Sequence, residues 1–240
     1  MHIALVQPDT TWHDKPANVA NLKRLTNNVQ PGSVIIMPEM CDVGFSMRKS
    51  VTTEGDSAQF AHDLAADRDC TVIAGVVADG RNQCIIASPA GEIARYAKRK
   101  PFVLVDEARH YPAGTEAVVA DVAGTPVAPS ICYDLRHPEV FREPALRGAK
   151  VLVNVANWPA TRVHHWLALL TARAIENQAW VIGCNRCGND PYVAYPGRSV
   201  IVSPLGEIVA DAGEHETVLH HDIDITEVDR VRNEFPFLHP

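Results

Sequence analysis

The stretch Thr125-Pro-Val-Ala-Pro-Ser-Ile-Cys132-Tyr-Asp-Leu-Arg-His-Pro138-Glu-Val-Phe141 decides how this chain is read. An apolar run over 126–131 ends at Cys132, and Pro138 then opens a helix expected over 138–147, because proline is pre-organised for a first helical turn. An apolar run without clean alternation reads as a strand buried on both faces, and such strands belong to sheets covered by helices. A cysteine on the turn between strand and helix has the placement of a nucleophile elbow. Its side chain is exposed, backbone amides lie at hand for an oxyanion, and a helix N-terminus favours the thiolate. A second reading stays open, since a lone cysteine is most often a small buried hydrophobe.

Outward from that turn, strand-like and helix-like segments alternate. Upstream, strands are expected over 2–7, 34–37, 71–77, 84–88 and 92–97, the last two joined by Pro89-Ala90-Gly91 as a hairpin. Helices are expected over 15–29 (Val19, Leu22 and Leu25 at helical spacing, Pro16 in the first turn) and over 57–67 (Phe60, Leu64 and Ala65 on one face). Residues 101–124 read as loop with short helix or strand pieces. Downstream come a strand over 151–156 and a helix over 164–178 that buries Trp166, Leu169, Leu170 and Ala174. Strands over 180–184, 199–202, 207–210 and 218–224 and a short helix near 227–233 complete the chain. The pattern predicts an α/β sandwich. The late hairpin around Pro204-Leu205-Gly206 makes its sheets mixed. No linker, composition step or repeat divides the chain, so 1–240 reads as a single domain.

Composition narrows the function. The 240 residues are 46% hydrophobic and 21% charged, ordinary for a globular chain that needs no disulfides to hold a core. A formal charge of −7, with Lys98-Arg99-Lys100 as the densest positive cluster, disfavours a nucleic-acid or anionic-membrane partner. No apolar stretch is long enough to span a membrane, and the N-terminus reads as a strand of the mature fold rather than a signal peptide. Six cysteines, mostly in apolar runs, suit a reduced cytoplasmic protein better than a disulfide framework.

Three further segments carry candidate chemistry. Glu39 follows Val34-Ile-Ile-Met-Pro38, at the end of a buried strand, where ligands bind in open α/β sheets; it is either a general base or a hydrated loop residue. Lys98 ends a hairpin strand and either stabilises an oxyanion or belongs to a solvated basic run. Glu107 lies in an acidic loop, where hydration is the ordinary fate. Cys184-Asn185-Arg186-Cys187 is a CxxC without a second pair, so neither zinc nor redox use is expected. His164-His165 on a helix and His220-His221 in a strand diverge as joint ligands. No metal or cofactor is expected.

These segments, in this order, resemble the nitrilase (carbon–nitrogen hydrolase) superfamily, and most of all its bacterial ω-amidase-like branch. Pro38-Glu39-Met40 with Gly44-Phe45-Ser46-Met47 is similar to the base motif, Tyr96-Ala97-Lys98-Arg99 with Phe102 to the lysine motif, and Ile131-Cys132-Tyr133-Asp134-Leu135-Arg136 to the nucleophile motif. Glu107, seven residues before Gly114, matches a second glutamate beside the lysine. The likeness also takes in Val155-Ala156-Asn157-Trp158-Pro159, 171–178, Gly183-Cys184-Asn185-Arg186 and Pro204-Leu205-Gly206-Glu207.

The resemblance implies a four-layer α-β-β-α sandwich with two mixed sheets and hydrolysis of a small primary amide through a cysteine thioester. In that scheme Glu39 is the base, Cys132 the nucleophile, Lys98 and the Tyr133 N–H the oxyanion donors, and Glu107 the orienter of Lys98. The implied substrates are ω-amides of 2-oxo dicarboxylic acids, with Arg162 as candidate for the carboxylate and Phe45, Tyr133 and Trp158 as pocket walls. It also implies a homodimer or larger assembly, with Phe235-Pro236-Phe237 at a contact. Alternatives are transfer of the acyl group to an amine, an N-carbamoyl or nitrile substrate, or an idle binding protein. Two departures bear on the substrate: Lys100-Pro101 stands where the branch has His-Leu, and Cys41-Asp42-Val43 where it has Phe-Thr-Thr. An extra ammonium at Lys100 is expected to act on Lys98 or on the pocket mouth.

Overall fold

Ile3, Leu5, Ile36 and Ile73 point one way from their strands while Ala4, Val6, Ile35 and Val72 point the other, and all eight are buried. Successive strand side chains alternate between faces, so a strand that buries both faces sits between two layers. A computed structural model describes residues 1–53 and 55–238. Its strands are β1 (His2–Gln7), β2 (Val34–Met37), β3 (Thr71–Ala78), β4 (Arg81–Ser88), β5 (Gly91–Ala97), β6 (Ala120–Val122) and β7 (Thr125–Ile131). They continue with β8 (Val151–Ala156), β9 (Trp180–Asn185), β10 (Cys187–Asn189), β11 (Ala194–Pro196), β12 (Val200–Val202), β13 (Ile208–Asp211) and β14 (Thr217–Asp222). The helices are α1 (Lys15–Leu25), α2 (Lys49–Thr52), α3 (Ser57–Arg68), α4 (Pro138–Leu146), α5 (Val163–Asn177) and α6 (Thr226–Glu234).

Two six-stranded sheets form, in the orders β14-β1-β2-β3-β4-β5 and β13-β12-β9-β8-β7-β6. Each is parallel at its centre (β1 with β2 and β2 with β3; β7 with β8 and β8 with β9) and antiparallel towards its edges. The sheets face each other through Ile3, Leu5, Ile36 and Tyr96 on one side and Ile131, Val153, Val155 and Ile182 on the other. Leu22 of α1 and Phe60 and Leu64 of α3 cover the outer face of the first sheet. Phe141 of α4 and Trp166 and Leu170 of α5 cover that of the second. The result is the four-layer α-β-β-α sandwich with mixed sheets expected above.

Differences of detail have local causes. The first helix ends at Leu25 rather than at residue 29, and beyond it the backbone bonds tighten to three-residue turns, the Asn27 N–H donating to the Arg24 carbonyl and the Val29 N–H to the Thr26 carbonyl, each at 3.2 Å. The second CxxC cysteine lies on a different strand from the first, and the Cys184 thiol donates to the Val6 carbonyl at 3.3 Å. The strands β10 and β11 and the helix α2 were not expected, being too short for a period to show. No helix among the described residues is long and apolar enough to cross a membrane.

Candidate active site

Four chain segments end within reach of one another at one edge of the sandwich. β2 delivers Pro38-Glu39, β5 delivers Lys98, β7 delivers Cys132 and β8 delivers Asn157. In sheets with parallel centres this carboxyl-terminal edge is where ligands bind, since the strands stop there and the loops diverge.

Glu39 is fully buried, and every group on its carboxylate is a donor, as an ionised carboxylate requires. Oε1 accepts from the Lys98 ammonium at 2.8 Å and from Asn82 Nδ2 at 2.7 Å; Oε2 accepts from the Asn157 backbone N–H at 3.1 Å. Asn157 also donates through Nδ2 to the Glu39 carbonyl at 2.6 Å. The buried Lys98 ammonium has a second carboxylate, Glu107 Oε2, at 2.8 Å, and it stands 5.4 Å above the Phe45 ring. Asn82 donates to both glutamates, reaching Glu107 Oε1 at 2.8 Å, while the Phe102 N–H donates to Glu107 Oε2 at 2.6 Å. Burial by itself would lower the lysine's pKa, but the two carboxylates outweigh it and hold the ammonium above the ordinary lysine value. Glu107 is therefore no hydrated loop residue, and Lys98 no part of a solvated run.

Cys132 begins a short 3-10 turn, Cys132–Arg136, with φ at +46°, a left-handed conformation that a side chain other than glycine rarely adopts. That strained geometry is where the strand-to-helix elbow lies. The thiol is pushed well above its ordinary pKa, first by burial and then by the Glu39 carboxylate, with the Lys98 ammonium opposing. The expectation that the turn would favour a resting thiolate is thus corrected. Two carboxylates against one ammonium leave the surroundings net negative, which keeps the proton on sulfur.

The thiol opens on a hollow of about 110 Å³ lined by Phe45, Tyr133, Trp158 and Arg162, all four expected, by Phe102, Arg136 and Asn157, which stood in the motifs without a pocket role, and by Tyr195, which had not been named. The Arg136 guanidinium stands 4.9 Å over the Trp158 ring, and Nη2 lies 3.2 Å from His165 Nδ1. The Tyr195 hydroxyl donates to Asp190 at 2.7 Å. The Lys100 ammonium pairs with Glu139 of α4 at 2.9 Å. Asp42, the other departure, takes the Lys15 ammonium at 3.1 Å and the Ser57 hydroxyl at 2.6 Å, anchoring the loop after Glu39 to α1 and α3.

Asn82 and Gly75 had no chemical signature in the sequence. Asn82 is hidden between Arg81 and Gln83 at the polar start of β4, where one more polar residue carries no signal. Gly75 is required because a Cβ there would stand 2.5 Å from the Glu39 Cα and 2.6 Å from the Pro38 carbonyl oxygen. Both obstacles are backbone, so the strand end carrying Glu39 would have to move. Gly75→Ala is expected to cost about 1–3 kcal/mol of stability and to lower kcat by about 10–100-fold, since a displacement of this order misplaces the reacting groups. Thermal melting and steady-state kinetics on the same preparation check this; a variant with wild-type kcat would show that Glu39 tolerates the shift.

Comparison with known proteins agrees with this geometry. The carbon–nitrogen hydrolase family model matches residues 2–233. The chain is 37% identical to omega-amidase YafV of Escherichia coli K12, over 98% of this chain and 94% of that protein. It is 35% identical to 2-oxoglutaramate amidase of Bacillus subtilis, over 85% of this chain and 82% of that one. Among solved structures, a CN-hydrolase superfamily protein of Xanthomonas campestris with an arsenic adduct in its active site superposes with a TM-score of 0.91 at 29% identity, over 99% of this chain and 96% of that one. A match that runs from the first strand to the last helix, with the buried Glu–Lys–Cys edge inside it, makes this chain a member of the carbon–nitrogen hydrolase family.

Proposed function

We propose that this enzyme hydrolyses the primary amide of a small ω-amide of a 2-oxo dicarboxylic acid, through a thioester on Cys132. The observation that carries the reading is the buried Lys98 ammonium shared between Glu39 and Glu107 at the edge where Cys132 follows the end of β7.

The amide enters the hollow and its carbonyl carbon meets Cys132. Glu39 takes the thiol proton as sulfur attacks, so the thiolate forms only as it is consumed. The Lys98 ammonium and the Tyr133 N–H hold the tetrahedral oxyanion; one such donor contributes about 2.7–4 kcal/mol to the transition state. Glu39 returns the proton to the departing nitrogen and ammonia leaves. It next takes a proton from water, which attacks the thioester and releases the carboxylic acid and the thiol. Amide and water become acid and ammonia. Glu107 and Asn82 stay in place throughout, fixing the two ends of the ion pair.

The names of the relatives support the substrate class, and so does the wall of the hollow. Arg162 and Arg136 both line it, and a guanidinium offers a carboxylate two parallel N–H bonds. A panel of primary amides with and without a distal carboxylate, read by ammonia release, tests the reading. Carboxylate-bearing amides are expected to show kcat/KM at least about 10-fold higher, and Arg136→Met or Arg162→Met to remove that preference chiefly through KM, as loss of a charged hydrogen bond worth about 1.5–3 kcal/mol requires. Equal turnover of neutral amides would overturn the substrate class while leaving the chemistry intact.

A further inference from the structure

Asp134 lies two residues beyond Cys132, is completely buried, and takes no part in the steps above. Its Oδ2 accepts from the Tyr96 hydroxyl at 2.7 Å and from the Ile131 N–H at 2.9 Å, and its Oδ1 accepts from the Lys100 N–H at 2.8 Å. Tyr96 and Lys100 flank Lys98, two residues to either side, and Ile131 immediately precedes the nucleophile. β5 belongs to the first sheet and β7 to the second, so one carboxylate bridges the two sheets at the level of the site. It mirrors Asn157, which ties the second sheet to Glu39. Between them the two ties connect each group from the first sheet to the elbow side.

We propose that ionised Asp134 is a positioning residue that sets the distance between the Lys98 ammonium and the Cys132 thiol. Three donors converge on its two oxygens, and all three are served only while both oxygens accept. A proton on Oδ2 reverses the bond to Tyr96 and leaves that hydroxyl's hydrogen without an acceptor. Burial raises the Asp134 pKa to about 6, against the pull of the Tyr96 hydroxyl, the Ile131 N–H, the Lys98 ammonium and the Lys100 N–H. Other titratable or charged groups near it include His137, whose N–H donates to the Asp134 carbonyl at 2.9 Å and whose pKa burial lowers, Arg99, which faces Tyr96, and Arg173 of α5, held on the Leu135 carbonyl at 2.9 Å. Its folded pKa lies above the ordinary aspartate value of 3.8, so between about pH 4 and 6 a proton on this residue favours the folded state. Acidification through that window therefore loosens the site without unfolding the chain through Asp134.

The inference rests on Cys132 and Lys98 working together, as proposed above, but not on the identity of the amide. Its test is the rate of Cys132 alkylation by iodoacetamide across pH, on the intact chain, with Cys132→Ala as the blank and kcat and KM followed alongside. In the wild type an inflection near pH 6 is expected in both profiles. Asp134→Asn is expected to lose that inflection and to lower kcat about 10-fold or more with KM within about twofold. Tyr96→Phe removes a donor that favours the carboxylate, so it is expected to move the inflection upwards in pH; a purely structural role for Tyr96 would leave it in place. Should Asp134→Asn fail to fold, Tyr96→Phe decides alone. Variants that keep the wild-type inflection overturn the positioning role, whatever substrate the amide panel finds.

Discussion

Cys132→Ala is expected to reduce ammonia release by at least about 10⁴-fold, to the level left by binding and oxyanion stabilisation alone, because loss of a nucleophile removes the covalent route entirely. The fold is expected to remain, with a melting temperature within a few degrees of wild type. Alanine meets the same left-handed backbone requirement at φ +46° as cysteine does, and it keeps the Cβ while losing a sulfur that borders both the hollow and the edge of the core. Active-site thiol titration with a small alkylating agent should lose one equivalent of reactive sulfur, since the other five cysteines are buried. Turnover at wild-type rate in the folded variant would remove the nucleophile assignment and the thioester with it.

Glu39→Gln is the second large effect. Glutamine keeps the shape of glutamate but brings an NH₂ where all the neighbours are donors: the Lys98 ammonium, Asn82 Nδ2 and the Asn157 N–H. Whichever way the amide turns, one donor faces another. The base is lost as well, which alone costs about 10²–10⁴-fold in kcat. Stability is expected to fall by less than the about 3–5 kcal/mol typical of a broken buried ion pair, because Glu107 still holds the lysine at 2.8 Å. The thiol responds in the opposite sense from turnover. Glu39 raises the Cys132 pKa and Lys98 lowers it, so removing the carboxylate's charge should shift alkylation of Cys132 to lower pH even as ammonia release collapses. Rapid multiple turnover of this variant would place the base elsewhere. An alkylation profile shifted upwards would show that Glu39 does not face the sulfur.

The arrangement explains why the thiol is not stored as a thiolate. A permanently charged sulfur between two carboxylates would be costly in a buried site, and Lys98 is already committed to both glutamates. Under the proposed mechanism, keeping the proton on sulfur until the substrate arrives would also protect a nucleophile that lines an open hollow. In the proposed mechanism the base and the oxyanion donor are joined in one ion pair, so proton transfer and charge stabilisation would share a single geometry.

Local pattern reached a long way into this fold. The strand at 2–7, the strand at 34–37 and the strand at 151–156 have the expected limits, because each is an apolar run bounded by polar or turn residues. The elbow at Cys132 was visible for the same reason: a buried strand stops and Pro138 starts a helix. Glu39, Lys98, Cys132 and Glu107 were legible as an ordered set, although each residue alone had a plainer explanation in its own segment. Asn82 and Gly75 were not singled out, and Asp134 and Arg136 stood in the nucleophile motif without a role of their own. An asparagine in a strand, a glycine among valines and an aspartate after a tyrosine are common, and nothing nearby in the chain says what they touch.

What the amino-acid order determined by itself was the periodicity, the turn chemistry and the supply of reactive groups, since these depend on neighbours a few residues apart. Which of those groups meet was decided by the stacking of the two sheets, which brings residues 39, 82, 98, 107, 132 and 157 to one buried edge. Proton affinity belongs to that second level as well. The sulfur of Cys132 takes its protonated state from desolvation and from charges on other strands, and the Coulomb energy that sets it depends on separation in space rather than along the chain.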